Sequence, residues 1–150
     1  MLTSHRTVLL VDDSRDDVDL ALRAFAKSGI TSEIVVASDG QEALDYLFST
    51  GAHASRAPDL PQLVLLDLNL PKIEGREVLR RMRADPRTKL LPVVILSTSN
   101  QESDIAKSYE LGANSYVRKP VDFGQFVAVT KQLAMYWLGL NEAPTRLPRP

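Results

Sequence analysis

The sequence predicts a doubly wound α/β fold, a five-stranded parallel sheet with helices on both faces. Three observations carry that expectation. Five short apolar, β-branched runs are spread along the 150 residues, segments with helical spacing lie between them, and the runs are continuously apolar instead of alternating with polar residues. Strands that alternate with helices join by right-handed crossovers into a parallel sheet. A sheet covered on both faces needs apolar side chains on both faces of every strand.

The elements follow in order. Thr7–Val11 reads as the first strand, and Val18, Ala21, Leu22 and Phe25 as the buried face of a helix stopped by Gly29. Glu33–Ala37 is the second strand, followed by a helix burying Leu44, Leu47 and Phe48. The connection Ser49 to Pro61 is rich in Gly, Ala, Ser and Pro and longer than the usual ~4–6 residues. It reads either as a disordered exposed loop or as a partner-specific contact. Gln62–Leu66 is the third strand, and Val78, Leu79 and Met82 mark the next helix, whose Arg76, Arg80, Arg81 and Arg83 read as its wet face. Val93–Ser97 and Ser115–Arg118 flank a helix carrying Ile105, Ala106 and Tyr109 and ended by Gly112. Asp122 is placed to cap a fifth helix starting near Phe123. Beyond it, Leu133 to Leu138 are apolar almost all the way round, where a helix covering one sheet face needs only a stripe. Either that helix is unusually buried, or Met135, Tyr136, Trp137 and Leu138 meet another chain. One domain over residues 1–141 and a proline-rich arm over 142–150 complete the plan.

Composition excludes several classes. Hydrophobic content of 44%, charged content of 25% and a formal charge of -1 describe an ordinary globular protein with no bulk attraction for nucleic acid or anionic membrane. The absence of cysteine removes disulfides, zinc-thiolate sites and thiol catalysis. The N-terminal apolar run is too short for a signal peptide or a membrane span, so the expected location is the cytoplasm. His5 and His53 lack the helical context of a phosphodonor.

The chemistry collects at the carboxyl ends of the strands, where open α/β sheets bind ligands. Asp12 and Asp13 follow the first strand, Asp67 the third, Ser97 and Thr98 close the fourth, and Lys119–Pro120 follows the fifth. Each has an ordinary reading: Asp12–Asp13 before Ser14 suits a helix cap, Asp67 suits a turn, and Lys119 suits a solvated lysine. Together they are harder to dismiss, because three acids in a half-buried cleft repel one another unless a divalent cation sits among them. Oxygen ligands without His or Cys suit Mg²⁺, which binds through one or two carboxylates plus a phosphate.

The set "VDD", "LLDLNLP", "LSTS" and "YVRKP" resembles the receiver domain of bacterial two-component response regulators, over essentially Arg6 to Leu140. The resemblance implies strand order 2-1-3-4-5 and a phosphoacceptor that catalyses its own phosphorylation and dephosphorylation, not a turnover enzyme. It implies that Asp67 is the phospho-accepting nucleophile, and that Asp13 and Asp67 with the backbone carbonyl of Asn69 hold Mg²⁺, Asp12 joining through a metal-bound water. Lys119 would contact the phosphoryl oxygens, its placement helped by a cis Lys119–Pro120 bond. Ser97 would be the switch hydroxyl and Tyr116 the aromatic that swings with it. Thr98, Ser99 and Pro120 would modulate the site, Thr98 by narrowing access where a smaller residue is more frequent.

The long Ser49–Pro61 loop and the "YWLGLNE" ending look like the stand-alone receivers that accompany bacterial phytochrome histidine kinases. The expected partners are therefore a sensor histidine kinase of that type, a downstream phosphorelay protein and a second copy of the chain. A phosphatase of the haloacid-dehalogenase type also uses a strand-end aspartate with Mg²⁺, but wants a second acid where this chain has Asn69. A flavodoxin-like flavin site would be repelled by acids after the first strand. A receiver-like scaffold that is never phosphorylated is the third alternative.

Overall fold

The computed structural model describes residues 7–56 and 59–144. His5 and residues 145–150 of the expected arm lie outside the described residues, as do Ala57 and Pro58 of the long connection. The elements run β1 (Thr7–Val11), α1 (Arg15–Lys27), β2 (Glu33–Ala37), α2 (Gly40–Phe48), β3 (Leu63–Leu66), α3 (Gly75–Ala84), β4 (Val93–Ser97), α4 (Glu102–Glu110), β5 (Ser115–Arg118) and α5 (Phe123–Ala134). All pairings are parallel and the strand order is β2-β1-β3-β4-β5. That is the predicted plan. The chain reverses its direction of winding after β2, so β1 and β3 flank the switch point where ligands bind in such sheets.

Two apolar clusters sandwich the sheet. Leu9, Val11, Val64, Leu66 and Ile95 point to the face covered by Ala43, Leu44, Leu47, Val78, Leu79 and Met82. Val8, Leu10, Leu63, Leu65, Val94 and Leu96 point to the other, against Ala21, Phe25, Phe126 and Leu138. Every residue of β3 is buried, which fixes that strand on both faces and holds its end rigidly. Start and stop signals act as expected. Asp122 accepts a hydrogen bond from the Gly124 N–H, and Gly29 and Gly112 take φ of +78° and +105° just past their helices.

Several expectations are corrected. In α1 the buried stripe is Ala21, Ala24 and Phe25, and Leu22 is exposed. In α4 the inward residue is Ser108, whose hydroxyl donates to the Asp104 carbonyl at 2.8 Å; Ala106 and Tyr109 are exposed and Ile105 is half-buried. A small polar residue that satisfies itself inside its own helix can take the buried position. The arginines of α3 do not form one wet face. Arg80 and Arg81 are exposed, but Arg76 pairs with Asp104 of α4 at 2.6 Å. The half-buried Arg83 donates to the carbonyls of Gly112 and Lys89 and to Asn114 Oδ1, and burial holds its pKa below the usual guanidinium value.

The connection after α2 is built, not disordered, over its described residues. Gly51–His53 makes a 3₁₀ turn, and the Arg56 guanidinium lies 3.7 Å from the centre of the Tyr46 ring. It also donates to the carbonyls of Tyr46 and Asp59, while the His53 ring stands edge-on to Tyr46 at 5.4 Å. A cation over an aromatic face, with two of its nitrogens bonded to carbonyls, ties the connection to α2.

The apolar segment after α5 divides between inside and outside. Met135–Leu140 winds as a π-helix, and the Asn141 N–H reaches back five residues to the Tyr136 carbonyl. Phe126, Thr130, Ala134 and Leu138 form the continuous buried line. Leu138 is 5% exposed, so that candidate for a chain-chain contact is internal, while Trp137 is half-buried against the same cluster. Met135, Tyr136 and Leu140 are 46%, 48% and 75% exposed. No helix among the described residues is long and apolar enough to cross a membrane.

Candidate functional site

Register brings the acids together. Val11 pairs with Leu66 across β1 and β3, so the next residue on each strand, Asp12 and Asp67, leaves the sheet side by side. Asp12 is tied to the neighbouring strand by its N–H to the Ala37 carbonyl, and Asp67 by its N–H to the Val11 carbonyl, both at 3.0 Å. Both side chains are buried; Asp13, the next residue, is exposed. One carboxylate oxygen from each of Asp12, Asp13 and Asp67 lies within 4.8 Å of the other two. A set of oxygens this tight, open to solvent on the Asp13 side, fits a hard divalent cation.

Lys119 arrives from the far side of the sheet. Ser97 pairs with Arg118, and the Lys119 N–H donates to the Ser97 carbonyl at 2.7 Å, which aims the following side chain inward. Its buried ammonium donates to Asp12 Oδ2 at 2.8 Å, Asp17 Oδ2 at 2.9 Å and Asp67 Oδ2 at 3.0 Å. Burial favours the neutral amine, but the bonds to Asp12 and Asp17 and the charges of Asp12 and Asp67 outweigh it and hold the pKa above the usual lysine value. Burial likewise raises Asp12, against the lowering pull of Lys119 and the Ser14 N–H and with the charge of Asp67 adding to it. Three carboxylates bond one ammonium, and Asp13 adds a fourth acid to the same group. That excess of negative charge is the electrostatic reason a cation belongs here.

The expected cis Lys119–Pro120 bond is corrected: no peptide bond among the described residues is cis. Trans is the lower-energy isomer of a bond to proline. Asn69 is exposed in the turn after β3, and its N–H donates to Asp67 Oδ1 at 3.3 Å.

The hydroxyl end of β4 is linked to its surroundings. Ser97 is fully buried and its Oγ accepts from the Ser99 N–H at 3.3 Å, while Thr98 is exposed. The half-buried Tyr116 donates its O–H to the Ser99 carbonyl at 2.9 Å. Ser99 Oγ meets Asp104 Oδ2 at 2.5 Å, and Asp104 holds Arg76 through its other oxygen. Ser97, Ser99 and Tyr116 are thus one connected group. Asp17, Asp104 and Arg76 are neighbours the sequence reading missed. Asp17 had a signal, a second acidic pair, Asp16–Asp17, just after Asp12–Asp13; the pairing of Asp104 with Arg76, 28 residues apart, had none.

A family model described as the response regulator receiver domain matches residues 8–131. Among curated proteins, FilR2 of Methanothrix harundinacea, named as a probable methanogenesis regulatory protein, is 39% identical over 91% of this chain and 86% of its own. Response regulator Rcp1 of Synechocystis is 37% identical over 89% of each. Among solved structures, the phosphorylated cyanobacterial phytochrome response regulator RcpA superposes with a TM-score of 0.89 at 41% identity, covering 95% of this chain and 100% of its own. The Mn²⁺-bound form of Rcp1 superposes with a TM-score of 0.87 at 36% identity, over 93% and 99%.

Proposed function

The chain belongs to the response regulator receiver domain family, and on that premise we propose that Asp67 accepts a phosphoryl group from a phytochrome-type sensor histidine kinase in a Mg²⁺-dependent reaction. One observation carries the assignment: the Asp67 carboxylate stands at the end of a fully buried strand, 3.0 Å from Lys119 Nζ and grouped with the oxygens of Asp12 and Asp13. Asp13, Asp67 and the Asn69 carbonyl, with Asp12 through a bound water, would hold Mg²⁺, which would supply neutralising charge for the incoming phosphoryl group. The chain's own residues do the rest. β3 fixes the nucleophile, and Lys119 offers N–H donors to the phosphoryl oxygens. Exposed Asp13 marks the side from which the donor approaches. An Asp67 oxygen bonds to phosphorus as the donor's P–N bond breaks, its electron pair leaving on nitrogen; attack by a carboxylate oxygen needs no general base.

Ser97 then turns its hydroxyl toward the phosphoryl oxygens. Ser99, which donates its N–H to Ser97 Oγ and accepts from Tyr116, shifts with it and carries the change to β5 and α4. The reading further assigns the protein to the cytoplasm, self-catalysed dephosphorylation, a downstream phosphorelay protein, and a homodimer through exposed Met135, Tyr136 and Leu140. The phytochrome partner draws support from the likeness to Rcp1 and RcpA.

Phosphotransfer profiling tests the function. Autophosphorylated histidine kinases, a phytochrome kinase first, are mixed with the chain and Mg²⁺. The expected result is rapid loss of label from the phytochrome kinase and gain on the wild type but not on Asp67→Asn. Label retained by that kinase and lost to the chain from an unrelated one overturns the partner; label retained by all overturns the function.

A further inference from the structure

The Lys119 ammonium has three N–H bonds and spends all of them on carboxylates, those of Asp12, Asp17 and Asp67. Two of these acceptors belong to the proposed chemistry, Asp67 as nucleophile and Asp12 on the metal side. Asp17 belongs to neither, since it is outside the group whose oxygens converge for a cation. We propose that Asp17 is a positioning residue, the fixed anchor that keeps Lys119 aimed at the phosphoryl group while Asp67 and Asp12 change partners. This rests on the reading of Asp67 as phosphoacceptor.

The sequence frees Asp17 for the task. Ser14 is the N-cap of α1, and its Oγ accepts the Asp17 N–H at 3.3 Å. An acid at this third helical position usually reaches back to the N–H of the cap. Here the Ser14 N–H is already taken by Asp12 Oδ1 at 2.9 Å, so the Asp17 carboxylate turns to Lys119 instead. The helix holds it in place, and the positive end of the helix favours its charge.

In the transfer the Asp67 oxygen–phosphorus bond forms while the donor's P–N bond breaks, with the electron pair leaving on nitrogen. Lys119 gives up no proton; it redirects the N–H that pointed at Asp67 Oδ2 to a phosphoryl oxygen. Asp12 would divide its charge between Lys119 and a bound cation, so the second bond would weaken. The bond to Asp17 is the one that persists, and it spares a long flexible side chain from being ordered at the moment of reaction.

The experiment compares wild type, Asp17→Ala, Asp17→Asn and Lys119→Ala, with the double variant, as full chains with Mg²⁺ and phosphoramidate. Phosphorylation is followed by intact mass, and folding by thermal unfolding. Asp17→Ala is expected to lower the maximal rate on the order of tenfold, with unchanged half-saturation by donor and unchanged Mg²⁺ affinity. Asp17→Asn, which keeps an acceptor oxygen, recovers part of the loss. In the Lys119→Ala background, Asp17→Ala has no further effect. A metal-free readout stands beside the rates: acetylation of Lys119 by an N-hydroxysuccinimide ester, mapped by mass spectrometry, rises in both Asp17 variants. Equal losses with and without Lys119, a faster Asp17→Ala, or unchanged Lys119 acetylation overturns the proposal. Labelling that survives in Asp67→Asn overturns the phosphoacceptor reading instead, and leaves the acetylation result to decide the contact.

Discussion

A methyl group placed on Gly75 would stand 2.1 Å from the carbonyl oxygen of Asp67 and 2.8 Å from Leu68 Cα. The first residue of α3 is therefore packed directly on the backbone of the proposed phosphoacceptor, and its N–H donates to the Leu68 carbonyl at 3.0 Å. No side chain fits there without moving backbone. Gly75→Ala is expected to cost about 1–3 kcal/mol in urea denaturation, the usual range for forcing atoms into a packed site. It should also slow phosphorylation, because the shift falls on Asp67 itself. Full stability with full labelling contradicts the packing.

Asp104 joins three elements, through Ser99 after β4, Arg76 on α3 and its own helix α4. Asp104→Ala is expected to lower stability by about 1 kcal/mol, since the Arg76 end is partly exposed. The more telling effect is on Tyr116, whose hydroxyl is held by the Ser99 carbonyl. Broadened Tyr116 ring resonances in NMR are expected in the unphosphorylated variant; unchanged ones separate Asp104 from the switch.

Inside and outside should behave differently along the segment after α5. Replacing Met135 and Tyr136 together with serine is expected to move the protein toward monomer in light scattering with little change in thermal stability. Leu138→Ala is expected to cost about 2–5 kcal/mol by opening the core. A monomeric wild type contradicts the proposed dimer, and a stable Leu138→Ala contradicts the internal packing.

On α3, Glu77 bonds to both Arg80 and Arg81, first through hydrogen bonds and then through charge, which lowers its pKa from 4.5 to about 2. A depressed carboxylate stabilises the fold above its unfolded value and loses that contribution as pH falls through the folded one. Stability of wild type and Glu77→Gln is thus expected to differ at neutral pH and converge toward pH 2. Added salt should shrink the difference, because the pair is exposed.

The five strands, the helix caps and the strand-end residues were legible because each rests on a local rule: a continuous apolar run, a capping side chain, a residue one step past a strand; the strand order followed from the family resemblance alone. Asp12, Asp67, Ser97 and Lys119 meet because register does the assembly, and register follows from the runs. What failed depends on partners far along the chain. Periodicity places Leu22, Ala106 and Tyr109 on a helix but not in the phase the neighbours accept, and it cannot see that Ser108 satisfies its own hydroxyl. Arg83 looked solvated until the carbonyls of Lys89 and Gly112 came to it. Leu138 looked like surplus apolar surface because Leu133 to Leu138 are apolar almost all the way round, and the pattern alone does not say which of them continues the buried line of Phe126, Thr130 and Ala134.

Asp67 is proposed to take the phosphoryl group with Mg²⁺ present. Intact mass spectrometry after incubation with Mg²⁺ and phosphoramidate measures it directly. One added phosphoryl group is expected on the wild type, none when the cation is chelated, and none on Asp67→Asn. The same addition on Asp67→Asn, or on the wild type without a divalent cation, would contradict it.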